Sequence, residues 1–320
     1  MTSCPHCDAP RGDAPRGDSA PAPGCRQCGR PMAVCGGFGL RAEVGRGGTA
    51  RVRAAEHADG RTAVVKVLER NAFNTWKVHQ LFARSARLAA TFDNVGLPRV
   101  LGFERTGLRS FLAMERLNGG TLSDRVVARR FVTGAAFEDL LRKLLEVVAY
   151  LHDRSFMHGD VTPRNVMFRG ERDSQPVLID LDGLCSPDEH GLPSLVMTPG
   201  YTAPEQKAGY VGVAGDLYGV GATMIYAATG KPPDKLDRVG DRLELEVALP
   251  GVSAEARELI QRLVDLRPER RPRSARAALR MLDRGTRPRL RHLGAMLVAA
   301  AVFLALIISV AVATHASTLR

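Results

Sequence analysis

Apolar and polar positions along this chain follow two successive periods, and the change between them divides it. Phe38 to Val44 and Ala50 to Glu56 read as strands flanking a Gly-rich turn, and Thr62 to Leu68 as a short apolar strand. Pro98 to Glu104 and Ser110 to Glu115 read as further strands, while Phe73 to Phe92 has helical spacing. Beyond residue 116 the helical period dominates. Phe137 to Asp153 places Leu140, Leu141, Leu144, Leu145, Val148 and Leu151 on one helical face. Strands first and helices after predict an α+β protein in two lobes, about 38–115 and 116–283.

Both ends depart from this pattern. Residues 293–313 run 21 positions without a charge. As a helix they reach about 31 Å, the thickness of a bilayer core. A buried soluble helix of that length shows a polar stripe, and this run shows none, so a membrane span is expected. Arg284, Arg287, Arg289 and Arg291 crowd the juxtamembrane linker 284–292, just before this run. They place the N-terminal side in the cytoplasm and offer contacts to anionic lipid. The expected location is therefore the cell membrane, single-pass, with 314–320 as a short extracytoplasmic tail. No signal peptide is visible ahead of the first apolar run.

In a reducing cytoplasm, paired cysteines read as metal ligands before disulfides. Cys4 and Cys7 form one CxxC knuckle and Cys25 and Cys28 another, 17 residues apart. Four thiolates at this spacing predict a structural, zinc-ribbon-like Zn²⁺ site over residues 1–35. The insert repeats Asp-Ala-Pro-Arg-Gly-Asp and cannot build an apolar core, so the metal would supply most of the module's folding energy. A closed four-thiolate site does no chemistry, and docking a protein partner is its expected use. The net charge of +11 is spread along the chain without an RNA or DNA motif, which makes nucleic acid an unlikely partner.

The candidate chemistry lies between these ends. His158-Gly159-Asp160-Val161-Thr162-Pro163-Arg164-Asn165 is followed 15 residues later by Asp180. One acid can orient an attacking hydroxyl, while the amide and the second acid can hold Mg²⁺ (or Mn²⁺) against nucleotide phosphates. Upstream, Gly45-Arg46-Gly47-Gly48 joins two strands, and its glycines let a backbone approach phosphates. Lys66 sits in the apolar run Ala63 to Leu68 and must find a counter-charge.

Taken with Ile179-Asp180, Thr198 to Glu205, Asp216 ahead of Tyr218-Gly219-Val220-Gly221, and Arg271, these motifs resemble a bacterial eukaryotic-like Ser/Thr protein kinase over 38–283. The resemblance implies ATP and Mg²⁺ as cofactors and proteins as substrates. Asp160 would be the catalytic base, with Thr198 beside it, and Asn165 and Asp180 would bind the metal. Lys66 would hold the α- and β-phosphates under the loop Gly45, Arg46, Gly47 and Gly48. Val44, Val52 and Val64 would line the adenine pocket above Met167. Glu115 and Leu117 would offer hinge backbone, and Met114 would be the gatekeeper. Thr198 to Glu205 would form the peptide platform, with Arg271 paired to Glu205.

The chain departs from the family pattern at several positions. Ala50 replaces the third loop glycine, and Val64 an alanine. Ser85 stands where the helical glutamate that pairs with the lysine is expected, so Lys66 would lack its usual partner. Gly159 replaces the arginine that receives activation-loop phosphate, which predicts activity independent of loop phosphorylation. Thr162 replaces a lysine near the transferring phosphate, and Asp182 the glycine after the metal-binding Asp. The leading function is a membrane-anchored protein kinase. A pseudokinase scaffold is the alternative, and a small-molecule phosphotransferase a third reading that the peptide platform argues against.

Overall fold

The computed structural model describes residues 4–6, 25, 27–28, 30, 32–47, 50–69, 76–106, 109–172, 175–185, 198–240 and 242–283. The expected span 293–313 and its basic linker lie outside these residues. Among the described residues no helix is long and apolar enough to cross a membrane.

The N-terminal lobe is one antiparallel sheet with a single helix against it. Its strands are β1 (Ala33–Val34), β2 (Phe38–Arg46), β3 (Ala50–His57), β4 (Thr62–Glu69), β5 (Val100–Thr106) and β6 (Arg109–Glu115), in spatial order β1-β2-β3-β4-β6-β5. The period-two reading recovers every strand from β2 onward. The helix α1 (Trp76–Ala89) ends short of the predicted Phe92, and it buries His79, Phe82, Ala83, Ser85, Ala86 and Ala89 on one face.

Strand β4 is central, and its two faces meet different partners. Ala63, Val65 and Val67 pack with Val34, Cys35, Phe38, Leu40, Ala55, Phe111 and Ala113. Leu68 joins Ala50, Leu112, Phe82 and Ala86 on the side of α1. Val64 and Lys66 share that second face by strand alternation. A strand buried on both sides reads as a continuous apolar run, and Lys66 is the exception whose charge must be met.

The C-terminal lobe is helical: α2 (Leu122–Val127), α3 (Gly134–His152), α4 (Pro204–Lys207), α5 (Val213–Thr229), α6 (Leu245–Ala248), α7 (Ala254–Leu263) and a last helix over 275–283. A small hairpin, β7 (Val166–Phe168) with β8 (Pro176–Leu178), lies near the cleft. The capping box of α2 is complete, with Thr121 N–H donating to Asp124 and Asp124 N–H donating to Thr121 Oγ1. The leucine face of α3 is buried as its spacing predicts. Helix α5 is buried on nearly all sides, as a central helix must be when its sequence carries no polar stripe.

One ion pair ties the platform segment to the far end of this lobe. The Arg271 side chain has 0 % exposure and meets Glu205 Oε1 at 2.5 Å and Oε2 at 3.0 Å. It also donates to the carbonyls of Ala214 and Asp265. Removing the arginine leaves a part-buried carboxylate and two carbonyls without their donor. Arg271→Ala should therefore cost about 3–5 kcal/mol in urea unfolding, while Arg276→Ala, which loses an exposed, solvent-screened pair to Asp153, should leave the unfolding midpoint almost unchanged.

Candidate active site

The catalytic-loop candidate is held from below by one carboxylate. Asp216, on α5, is 2 % exposed. Its Oδ2 accepts from the backbone N–H of His158 at 2.8 Å and lies 2.9 Å from His152 Nε2, and its Oδ1 accepts from the N–H of Gly159 at 2.8 Å. Burial pushes the Asp216 carboxyl up, but the His152 hydrogen bond and charge, with the loop's N–H groups, hold it below the usual carboxylate range. His158, fully buried, bridges onward. Its Nε2 lies 3.0 Å from the carbonyl of Ile179, and its Nδ1 accepts the N–H of Asp160 at 3.3 Å. This assigns the proton to Nε2.

Gly159 has φ +82°, and a Cβ there would lie 3.2 Å from the carbonyl oxygen of Gly183. Any side chain would be strained, so the absent arginine is replaced by a backbone conformation that suits glycine. The physical reason for this departure lies in the left-handed turn, which a sequence does not display.

Above the loop, Asp160 is gripped at both oxygens. Oδ2 accepts from Asn165 Nδ2 at 2.7 Å, and Oδ1 accepts from the Thr198 hydroxyl at 2.9 Å. The same Asn165 nitrogen donates to the Asp160 carbonyl at 2.9 Å. The amide thus turns its nitrogen inward and leaves its oxygen as the atom able to meet a cation. Desolvation raises the Asp160 carboxyl above its ordinary range, against the lowering effect of Thr198, His158 and Asn165. A raised carboxylate is a better proton acceptor for a hydroxyl.

Lys66 reaches across from β4. Its Nζ is 2.6 Å from Asp180 Oδ1 and 2.6 Å from Asp182 Oδ2. Burial alone would lower the ammonium pKa, but Asp182 and then Asp180 raise it above its ordinary value. Asp180 takes φ +65°, a left-handed conformation rare outside glycine and concentrated at functional sites. Desolvation pushes its carboxyl up, and Lys66 more than offsets this, so it stays ionised below the usual range. Asp182 moves the other way: desolvation dominates and Asp180 adds to it. Helix α1 carries no acid to pair with Lys66, and the counter-charge the lysine needs comes from Asp180 and Asp182 instead. That role was not visible in the sequence, since only the fold brings the turn after β8 beside β4.

The remaining site residues are placed as follows. Val52 and Val64 are half-buried on neighbouring strands, as is Met114 on β6, opposite Val64. Met167 is half-buried on β7. Val44, by contrast, is 54 % exposed at the end of β2. Gly45 and Arg46 close β2, and the Gly47 N–H donates to the Ala50 carbonyl at 2.8 Å. Gly48 lies outside the described residues. The Glu115 N–H is committed to the Arg99 carbonyl at 2.9 Å, and its side chain to Arg169 and the Arg99 N–H. Its N–H and carboxylate are thus used within the lobe, and Leu117, the other hinge candidate, is half-buried after β6. Thr162 is 3 % exposed.

The N-terminal cysteines converge. The thiols of Cys4, Cys25 and Cys28 lie within 4.8 Å of one another, and Cys4 Sγ is 3.8 Å from Cys28 Sγ. Thiolates at about 2.3 Å on a tetrahedral zinc stand roughly 3.8 Å apart, so three of the four predicted ligands fit the ion. Cys7 lies outside the described residues. This knuckle is not separate from the lobe. Arg109 Nη1 donates to the Pro5 carbonyl at 2.5 Å, and the His6 ring packs edge-on to Phe111 at 5.7 Å. Cys35 stands apart with a thiol pushed up to about 12 by burial, which suits packing and not ligation.

The geometry now has relatives to set beside it. The family model of the protein kinase domain matches residues 38–281. The chain belongs to the protein kinase domain family. It is 32 % identical to Serine/threonine-protein kinase C of Synechocystis sp., over 75 % of this chain and 48 % of that one. It is 30 % identical to Serine/threonine-protein kinase PknA of Nostoc sp., over 76 % of this chain and 46 % of that one. The chain thus spans about half the length of the curated relatives it matches. The crystal structure of Rad53 1-466 in complex with AMP-PNP superposes with a TM-score of 0.61 at 24 % identity, covering 76 % of this chain and 64 % of that one, and so shares the two-lobed kinase fold.

The Asp216 clasp has a pH signature. Its folded pKa lies below the unfolded value of about 3.9. Its contribution is therefore fully present above that value and lost as pH falls through the folded pKa. In thermal melts between about pH 2 and 6, Asp216→Asn should be less stable than wild type at the upper end, with the difference shrinking on acidification.

Proposed function

We propose that this chain is a membrane-anchored Ser/Thr protein kinase that transfers the γ-phosphate of ATP to protein hydroxyls. The observation that carries the reading is Asp160, held between the Asn165 amide and the Thr198 hydroxyl, with the Lys66–Asp180 pair completing the set. Phosphoryl transfer needs little covalent help from a protein and much positioning. The Asp160 carboxylate orients the incoming Ser or Thr hydroxyl and accepts its proton, in the manner it now accepts from Thr198. Asn165 Oδ1 and Asp180 would hold Mg²⁺, which when bound neutralises phosphate charge. Lys66 would meet the α- and β-phosphates beneath the turn at Gly45 and Gly47. Val52, Val64 and Met167 would enclose the adenine. The names of the Synechocystis and Nostoc relatives support Ser/Thr specificity, and the segment Thr198 to Glu205, braced by Arg271, is the proposed peptide platform.

The membrane anchor rests on the uncharged run 293–313 and its arginines. The knuckle of Cys4, Cys25 and Cys28 is proposed, with Cys7, to hold a structural Zn²⁺. Its seat on β6 makes it a brace of the N-terminal lobe as well as a possible partner surface.

Buried Thr162 favours a second reading, a pseudokinase that binds nucleotide without turnover, because the cation expected near the transferring phosphate is missing. An assay with radiolabelled ATP, Mg²⁺ and casein separates the two. Wild type should incorporate phosphate, while Asp160→Ala and Lys66→Ala should each fall by about 100-fold or more. Equal incorporation in all three would refute the kinase reading, and nucleotide binding without incorporation would establish the second. Native mass spectrometry should find one zinc per chain. Stripping it with a chelator should lower the melting temperature by several degrees, on the order of 1–3 kcal/mol, and Cys25→Ser should abolish both the metal and the effect.

A further inference from the structure

Lys66 is a lone charge within the run Ala63 to Leu68, which is packed on both faces, and α1 offers it no acid. From Trp76 to Ala89 the helix carries no acid. Ser85, 6 % exposed, instead donates its hydroxyl to the carbonyl of Asp182 at 3.3 Å. The short side chain lets the turn Leu181–Gly183 come up against the helix. That approach carries Asp182 Oδ2 to 2.6 Å from Lys66 Nζ.

We propose that Asp182 is the positioning residue for Lys66, the counter-ion that fixes the lysine for phosphate and moves this task from α1 to the turn bearing Asp180. The inference rests on the kinase reading of the site. Asp180 also touches Lys66, but Asp180 is the carboxylate that would be shared with a divalent cation. Asp182 is the one whose charge stays wholly with the lysine. Its side chain is also the less exposed of the two, 31 % against 45 %. Because both acids lie on one short turn, a single local conformation aims the metal ligand and anchors the lysine together. The contact from Ser85 ties that conformation to α1 through backbone instead of charge.

The test is a double-mutant cycle on the full chain. Without nucleotide, urea unfolding of Lys66→Met, Asp182→Asn and the double variant should be non-additive, with the double variant less destabilised than the sum, because each single change leaves a charge unpaired. In the casein assay Asp182→Asn should lower kcat about 10- to 100-fold with little change in KM for casein. It should add no further loss in the Lys66→Met background. Returning an acid to the helix in Asp182→Gly/Ser85→Glu should recover part of the loss relative to Asp182→Gly. Wild-type kcat in Asp182→Asn, or additive losses in either measurement, would overturn the proposal. If wild type transfers no phosphate, the kinase reading falls while the unfolding cycle still decides the pairing. If Asp182→Asn does not fold, the Gly/Glu pair and Asp182→Gly carry the comparison.

Discussion

The arrangement of the active site depends on one buried carboxylate. Asp216 sits on α5, where almost no water reaches it, and an ion in such a place is tolerated only when its lone pairs are filled. The N–H groups of His158 and Gly159 and the ring of His152 fill them. That requirement fixes the backbone just before Asp160. From there the order spreads by hydrogen bonds: His158 to Ile179, Ile179 N–H to the Asn165 carbonyl, and Asn165 to Asp160. The catalytic loop and the turn bearing Asp180 are thereby parts of one network, whose members each have a partner inside it.

Much of this architecture was legible in the sequence, for identifiable reasons. The strands from β2 onward announce themselves by alternation and by the glycines between them. Helix α3 does so by a leucine face, and the Arg271–Glu205 pair through motifs whose order matches the family. Lys66 was conspicuous because a lone charge in an apolar strand demands an explanation. What could not be read was where that charge is satisfied. The partner lies on a turn far along the chain, and two acids there differ in sequence by a single intervening leucine. Only the approach of α1 to that turn shows that Asp182 faces the lysine. The tight φ at Gly159 was invisible for a similar reason, since a missing arginine looks like a loss until the backbone shows that a side chain there would crowd Gly183. The Glu115 N–H is used by the Arg99 carbonyl, beside a bulge in β5 that periodicity does not reveal.

Packing continues upstream of the N-terminal boundary at residue 38. The kinase family match starts at residue 38, yet the cluster beneath β4 already includes Val34 and Cys35, and β1 adds a strand to the sheet edge. Covering an edge strand and a hydrophobic face are both stabilising. The segment carrying the cysteines is therefore continuous with the lobe whose position sets Lys66, and its conformation reaches β6 through Pro5, His6 and Cys35.

The charge balance of the cleft follows from these placements. Asp180 and Asp182 flank Lys66, Asp160 lies near enough to interact with Asp180, and the two positions where cations were expected hold a left-handed glycine and a buried threonine. Like charges at short range resist joint ionisation, and accordingly Asp180 raises both Asp160 and Asp182. A nucleotide brings further negative charge into this space. The site as built is therefore electrostatically incomplete toward phosphate, and binding there must bring its own cations. Asn165 and Asp180 are the proposed receivers of such cations, and Lys66, 2.6 Å from Asp180 and from Asp182 alike, already divides its charge between the two acids.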